Sequence, residues 1–398
     1  MEQAYLYDAV RTPFGKYGGQ LSSVRPDDLG AFVIEQILLR NQDLDPADLG
    51  EVYFGNANGA GEENRNVARM SSLLAGVPDS VPGTTINRLC GSSLDATIQA
   101  SRALACGDMD LVLVGGVESM SRAPWVLPKT EKPYPAGNMT LESTALGWRL
   151  VNPAMKPEWT LSLGESTEQL AEKYSIDRER MDRFAERSHR LTAQAWESGF
   201  YDDLVEQIPG TDLVRDEPLR PSTTIEALAD LKPVFRKDGT GRVTAGNASP
   251  LSDGASALLL GSSRAHDILG RDPLVRLAGR GVAAGEPRYF GFAPVEAANR
   301  ALAAAGLTWD KVGAVELNEA FAAQALACID GWGIEEDIVN RKGGAIAIGH
   351  PLGASGGRLV ATLAKTMREE KIRYGVAALC IGVGQGLALV LENEDAPA

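Results

Sequence analysis

Two thiols and one imidazole occupy the glycine-rich stretches of this chain best suited to bond-making chemistry. Cys90 stands in "TTINRLCGSSLDATIQASRALACG". Before it, Thr84, Thr85 and Ile86 favour a strand; after it, Leu94, Ile98 and Leu104–Ala105 recur at helical spacing. That puts the thiol near a helix N-terminus, with Ser92 and Ser93 available as caps, where the end-charge and free amides favour a thiolate. The competing reading is a small apolar filler, because free cysteine is commonly buried. His350 lies in "IGHPLGASGG", where glycines let backbone approach a ligand and Pro351 fixes a turn. An imidazole held there suits a base that activates a thiol. Cys380 lies where the apolar run "AALCIGVGQG" meets three glycines. A core cysteine is the plain reading; a second thiol beside the first would suit alternating acid–base work. Asn318 in "VELNEAFAAQAL" either caps a helix or orients a water or oxyanion donor, with Glu319 holding its neighbours.

The remaining thiols and imidazoles read as bystanders. His189 sits in a highly charged helical stretch and is expected to be solvated; His266 has no motif around it. Cys106, at the end of the Cys90 helix, and Cys328, in "AAQALACIDGW", are expected to be packed in the core. No CxxC pair or Cys/His cluster occurs, so no metal site is expected. "GVGQG" is followed by "LALVLE", a strand rather than the helix a dinucleotide fingerprint needs. "GHPLGASGG" lacks the Lys-Ser/Thr of a P-loop.

The elements that must position these residues read as an α/β body. Strand ("AYLYDAVRTPFG"), helix ("PDDLGAFVIEQILLRN"), strand ("LGEVYFGNA"), the Cys90 unit and the strand "DMDLVLVGGVESMS" follow one another. That order predicts a parallel sheet with crossover helices. From about Arg122 to Asn247 prolines, tryptophans and charges mix around one amphipathic helix, "STEQLAEKYSIDRERMDRFAERSHRLTAQAWESG". This reads as an insertion or lid. The last third, "KGGAIAIGHPLGASGGRLVATLAKTMREEKIRYGVAALCIGVGQGLALVLE", runs strand, Gly-rich turn, helix, apolar strand, glycines. The Cys90 region has the same order, so the chain reads as two duplicated α/β halves. Their junction would gather Cys90, His350 and Cys380.

At 398 residues with 44% hydrophobic and 23% charged residues, the chain can bury a large core in two or three units. A net charge of −14 argues against nucleic acid and anionic membranes as partners. Four scattered cysteines point to a reducing, cytoplasmic setting rather than a disulfide framework. No leader-like segment or run of ~20 apolar residues is visible, so no membrane partner is expected.

Taken in order, "NRLCGSS", "GGVESMSRAP", "TAGNASPLSDGA", "ELNEAFAAQAL", "GGAIAIGHPLGASG" and "CIGVGQG" resemble the thiolases, acetyl-CoA C-acyltransferases. The resemblance runs from "AVRTPFGK" to "LALVLE", nearly the whole chain. It implies the thiolase fold: two βαβαβαββ halves in α/β/α/β/α layers with an inserted loop domain. On that pattern residues 1–121 and 248–268 form the first half, 122–247 the insertion and 269–398 the second half. It implies Cys90 as the nucleophile that carries the acyl group. His350 would activate it and, with a water on Asn318, line one oxyanion hole. Cys380 would be the acid/base at the α-carbon, and the amides of Cys90 and Gly382 the second oxyanion hole. Arg220, Ser249, Leu163 and Phe321 would contact coenzyme A or the acyl chain. It implies CoA thioesters as substrates, no metal or redox cofactor, and a homodimer or homotetramer.

"GEENRNVARMSSLLAG", "TALGWRLVNPAMKPEW" and "DEPLRPSTTIEAL" resemble the 3-oxoadipyl-CoA type among degradative thiolases. Leu163-Gly164 stands where many short-chain thiolases have Met-Gly, and Pro250 where glycine is usual. A general 3-ketoacyl-CoA thiolase or an acetoacetyl-CoA thiolase are the alternatives. A 3-oxoacyl synthase, which uses one cysteine and two histidines, fits less well because Cys380 stands where a second thiol is wanted. A non-catalytic lipid carrier should have lost one of Cys90, His350 or Cys380.

Overall fold

A computed structural model describes residues 2–397. In chain order the elements that build the site are β1 (Ala4–Arg11), α1 (Pro26–Arg40), β2 (Glu51–Gly55), α2 (Val67–Leu74), β3 (Gly83–Ile86), α3 (Ser92–Cys106) and β4 (Leu111–Ser119). After a long excursion that includes α4 (Leu163–Lys173) and α5 (Arg178–Glu197), the chain returns in β5 (Ser252–Ser262). Then come β6 (Val275–Ala284), α6 (Ala293–Ala305), β7 (Ala314–Leu317), α7 (Ala322–Trp332), α8 (Ala345–Ile348), α9 (Ser355–Glu369), β8 (Tyr374–Ile381) and β9 (Gln385–Glu392).

The duplication read in the sequence is written in the sheet pairings. In the first half β1 lies antiparallel to β5, β5 antiparallel to β4, β4 parallel to β2 and β2 parallel to β3. In the second, β6 lies antiparallel to β9, β9 antiparallel to β8 and β8 parallel to β7. Among the described residues the two sheets pair where Tyr5 faces Arg276 and Leu6 faces Val275.

The strands β4, β5, β8 and β9 are buried on both faces because each sheet is covered twice. Side chains alternate between layers, as the period of two requires. Leu258 and Leu260 of β5, Val112 and Val114 of β4, and Ala377 and Leu379 of β8 face a central core with Leu94 and Ile98 of α3 and Leu359 and Leu363 of α9. The intervening Ala257, Leu259, Leu111 and Leu113 face Phe32, Val33 and Ile37 of α1. Val376 and Ala378 face Ala297 and Ala301 of α6 and Leu326 and Ile329 of α7. The result is helix, sheet, paired helices, sheet, helix, with α3 and α9 in the middle layer. Truncating one of these central leucines to alanine costs about 2–5 kcal/mol.

Two expectations about elements are corrected. The long amphipathic helix is two: α4 ends at Lys173, Ser175 takes φ +56°, and Asp177 caps α5 by accepting the Arg180 N–H. "GAIAI" is the short helix α8, not a strand. Its place beside β7 is taken by Val339, which bridges Val315 in parallel. Next to it Asn340 accepts the Leu317 N–H and donates to the Leu317 carbonyl, both at 2.8 Å, supplying with one side chain the pairs a strand would give.

Among the described residues no helix is long and apolar enough to cross a membrane.

Candidate active site

The candidate residues come from the C-terminal ends of strands in both halves, the usual edge for ligands in α/β sheets. Cys90 follows β3, Asn318 follows β7, and Cys380 and Gly382 close β8. His350 precedes α9, whose first turn meets that of α3: a Cβ on Gly356 would lie 2.2 Å from the Leu94 nitrogen. The Gly357 N–H donates to Ser93 Oγ at 3.1 Å across the same contact. Small residues at the start of α9 thus let the Cys90 turn and the His350 loop meet.

Cys90 sits just outside α3, and Leu89 before it holds φ +49°. Val383, after Gly382, holds φ +59°. Left-handed backbone at a branched or bulky residue costs of order 1–3 kcal/mol and persists only where the surroundings enforce it. Both strained residues flank the proposed chemistry. Ser92 and Ser93 do not cap α3; Ser92 Oγ accepts the Arg88 N–H and donates to the Leu89 carbonyl, so it braces the strained turn instead.

The expectation of a thiolate at Cys90 is overturned. Burial pushes its thiol up to about 11, and the charge of Glu118 adds to this. The backbone amides of Gly382 and of Cys90 itself pull the other way, but desolvation wins. Burial likewise raises the Cys380 thiol well above its ordinary value, and the Cys90 thiol is close enough to raise it further. Both sulfurs are therefore buried as neutral thiols at rest.

His350 donates or accepts at both ring nitrogens: Nδ1 meets Ser355 Oγ at 2.5 Å and Nε2 meets Asn318 Nδ2 at 3.3 Å. Since Ser355 Oγ donates to the Pro351 carbonyl at 2.9 Å, it accepts from Nδ1–H, which leaves Nε2 as the acceptor. The His350 N–H donates to Ser252 Oγ. Burial and the nearby Arg358 guanidinium push the imidazole down to about 3, so the ring is neutral. Arg358, wholly buried, donates to Glu316 at 2.9 Å and to Asn318 Oδ1 at 3.5 Å. Asn318 does not cap α7, whose preceding residue is Phe321. Glu319 does hold its neighbours, accepting from Ser188 Oγ, Asn340 Nδ2 and the Ile346 N–H.

Leu163 and Phe321 pack with Phe290 and Ala320 against Cys380 in one apolar cluster. Ser249 donates its N–H and its Oγ to the Ala320 carbonyl, tying the strand-return loop to that cluster. Arg220 is exposed, and its N–H donates to His189 Nδ1 at 3.2 Å. His189 is therefore buried rather than solvated; burial and Arg220 push it down to about 4. Cys106 is exposed rather than packed, whereas Cys328 is in the core as expected.

Comparison with known proteins agrees with this geometry. The family model "Thiolase, N-terminal domain" matches residues 4–264 and "Thiolase, C-terminal domain" matches 271–393. The chain belongs to the thiolase family. It is accordingly an enzyme of the acyltransferase class. It is 46% identical to the beta-ketoadipyl-CoA thiolase of Acinetobacter baylyi, over 99% of this chain and 100% of that one. It is 47% identical to the 3-oxoadipyl-CoA/3-oxo-5,6-dehydrosuberyl-CoA thiolase of Escherichia coli K12, with the same coverage. The structure superposes on human mitochondrial 3-ketoacyl-CoA thiolase in complex with CoA with a TM-score of 0.92 and 35% identity, covering 98% of each chain.

Three residues around this thiolase site escaped the sequence reading. Glu118 is buried and accepts the N–H groups of Ala57, Asn58 and Gly353, which ties the His350 loop to the first half. Its place inside "GGVESMS" was visible, but nothing in a sequence says that a carboxylate ending an apolar strand turns inward. Trp148 packs so close to Gly382 that a Cβ there would lie 2.9 Å from its Cη2 atom. Phe235 packs on Gly164 next to Leu163.

Proposed function

We propose that this enzyme cleaves 3-oxoadipyl-CoA with free CoA, giving acetyl-CoA and the four-carbon dicarboxylic acyl-CoA through a thioester on Cys90. In the first half-reaction the Cys90 sulfur bonds to the ketone carbon while His350 Nε2 takes its proton. The bond between that carbon and the α-carbon then breaks. The departing acetyl-CoA enolate takes a proton from Cys380. In the second half-reaction the CoA sulfur attacks the Cys90 thioester, its proton passing to Cys380, while His350 returns its proton to the Cys90 sulfur. Both thiols and the neutral imidazole are thereby restored.

The resting charge state supports this cycle. Two neutral thiols and a neutral imidazole hold no isolated ion in a desolvated site, so charge develops only as bonds change. The developing oxyanion is met by the amides of Cys90 and Gly382, with Asn318 and His350 at the other carbonyl. Arg220 and Ser249 are assigned to coenzyme A, and Leu163 and Phe321 to the acyl chain beside Cys380. Residues 122–247 serve as a lid. Exposed Trp125, Leu127, Tyr134 and Leu141 in that stretch support assembly as a homodimer or homotetramer through an apolar surface.

The observation that carries the reading is the close meeting of the Cys90 turn with the His350 loop, through Gly356 on Leu94 and the Gly357 N–H on Ser93 Oγ, with His350 Nε2 held by Asn318. The acyl assignment is supported by full-length relatives of 46–47% identity named beta-ketoadipyl-CoA and 3-oxoadipyl-CoA thiolases. Comparing CoA-dependent cleavage of 3-oxoadipyl-CoA, acetoacetyl-CoA and long-chain 3-oxoacyl-CoA tests it. The highest kcat/KM is expected for 3-oxoadipyl-CoA; a preference for acetoacetyl-CoA would replace the proposed substrate.

A further inference from the structure

A six-carbon dicarboxylic acyl chain ends in a carboxylate three carbons beyond the ketone that Cys90 attacks. The wall around Cys380 is apolar, built of Leu163, Phe290, Ala320 and Phe321. An ionised carboxylate placed against it without a partner is strongly disfavoured. A substrate of this class therefore requires a cation close to the site that is not already neutralised.

Most arginines close to these loops are committed. Arg88, next to the strained Leu89, pairs with Asp95 at 2.9 Å. Arg288, beyond the Val383 turn, pairs with Glu286 at 2.5 Å. Arg358, beneath Asn318, pairs with Glu316 at 2.9 Å. Arg122, after β4, pairs with Glu62. Arg149 differs. It follows Trp148, whose ring covers Gly382, the glycine that Leu89 also approaches. It is half-buried, and among the described residues no carboxylate pairs with it.

The single side-chain bond of Arg149 holds it without cancelling its charge. Its Nη2 donates to Asn58 Oδ1 at 3.2 Å. The Asn58 amide is oriented by its own donation to Thr144 Oγ1 at 3.0 Å, which turns the oxygen toward the guanidinium. Asn58 is in turn fixed by its N–H on Glu118 Oε1 at 3.1 Å, the carboxylate whose charge reaches Cys90. Backbone on both sides of the pair is set in the left-handed region, Gly147 at φ +81° and Leu150 at φ +52°. For Leu150 that conformation is strained, and such strain clusters at ligand-holding segments. A guanidinium with most of its five donors free suits bidentate capture of a carboxylate.

We propose that Arg149 binds the distal carboxylate of the acyl chain and so sets the enzyme's preference for dicarboxylic 3-oxoacyl-CoA substrates. This rests on the reading of the enzyme as a 3-oxoadipyl-CoA thiolase, and the test separates the two. Steady-state kcat/KM is measured with 3-oxoadipyl-CoA and with 3-oxohexanoyl-CoA, its uncharged counterpart of equal length, for wild type, Arg149→Gln and Arg149→Lys. Wild type is expected to favour the charged substrate, and Arg149→Gln to lower the ratio of the two values by about 10- to 100-fold, the worth of a charge-assisted pair. Arg149→Lys, which keeps the charge but loses the fork, is expected to fall between. A wild-type enzyme with no preference for the charged chain would overturn the substrate reading itself. A wild-type preference that survives in Arg149→Gln, or an equal loss on both substrates, would overturn the role of Arg149 alone.

Discussion

Replacing Glu118 by Gln is expected to shift stability, relative to wild type, increasingly in the variant's favour as pH rises. Burial holds this carboxyl at about 7, against an ordinary value of 4.5, despite three backbone N–H donors. Because the folded value lies above the unfolded one, the neutral carboxyl favours folding. That contribution is complete below about 4.5 and is lost as pH rises through about 7. Glutamine is uncharged at every pH; its oxygen can keep the Ala57 and Gly353 donors, while its NH2 faces the Asn58 N–H and loses that bond at a cost that does not change with pH. At about 1.4 kcal/mol for each tenfold change in proton activity across that window, the variant gains on wild type by roughly 2 kcal/mol between pH 5.5 and pH 8. Urea unfolding of both proteins at one fixed protein concentration, from pH 5.5 to 8, reads this directly. The same substitution removes a charge that pushes the Cys90 thiol up, so alkylation of Cys90 at pH 8 should quicken. A stability difference between the two proteins that stays flat or shrinks from pH 5.5 to 8 would refute the reasoning. It would mean that the three N–H bonds to the ionised carboxylate outweigh its desolvation.

The neutral ring of His350 should be visible by NMR: burial and Arg358 hold it near 3, so its signals should not move between pH 5.5 and 9. A midpoint between 6 and 7 would contradict a neutral base. Gly356→Ala should lose about 1–3 kcal/mol of stability and most of its activity, because the new Cβ meets the Leu94 backbone, which cannot rotate away; unchanged activity would show that the contact between α3 and α9 does not set the site. Cys380→Ser should still form the acyl-enzyme yet fail to exchange the α-protons of acetyl-CoA with solvent deuterium. Full exchange would assign that proton to another group.

The repeated order of strand, helix, strand and glycine turn made both halves legible, because β4, β5, β8 and β9 are buried on two faces and read as largely apolar runs. What the sequence could not show were the places where one side chain replaces an element. Asn340 supplies the edge pairs of a missing strand, so "GAIAI" was free to coil into α8 despite its β-favouring isoleucines. Asp177 starts a new helix inside an amphipathic run whose periodicity hides the break. The candidate nucleophile, base and second thiol were legible from their glycine-rich settings. Their ionisation was not, since a helix N-terminus argues for a thiolate at Cys90 and only the folded structure shows that burial outweighs it. Glu118 and Arg149 depend on contacts between residues some 60 to 90 positions apart, which no local pattern encodes.

The central claim, that Cys90 carries the acyl group, is tested most directly by mixing the enzyme with 3-oxoadipyl-CoA in the absence of free CoA, quenching in acid and mapping the peptides by mass spectrometry. One four-carbon dicarboxylic acyl group is expected on the peptide bearing Cys90, absent in Cys90→Ala and removed by added CoA. The acyl group found on Cys380 instead, or turnover by Cys90→Ala, would contradict the account.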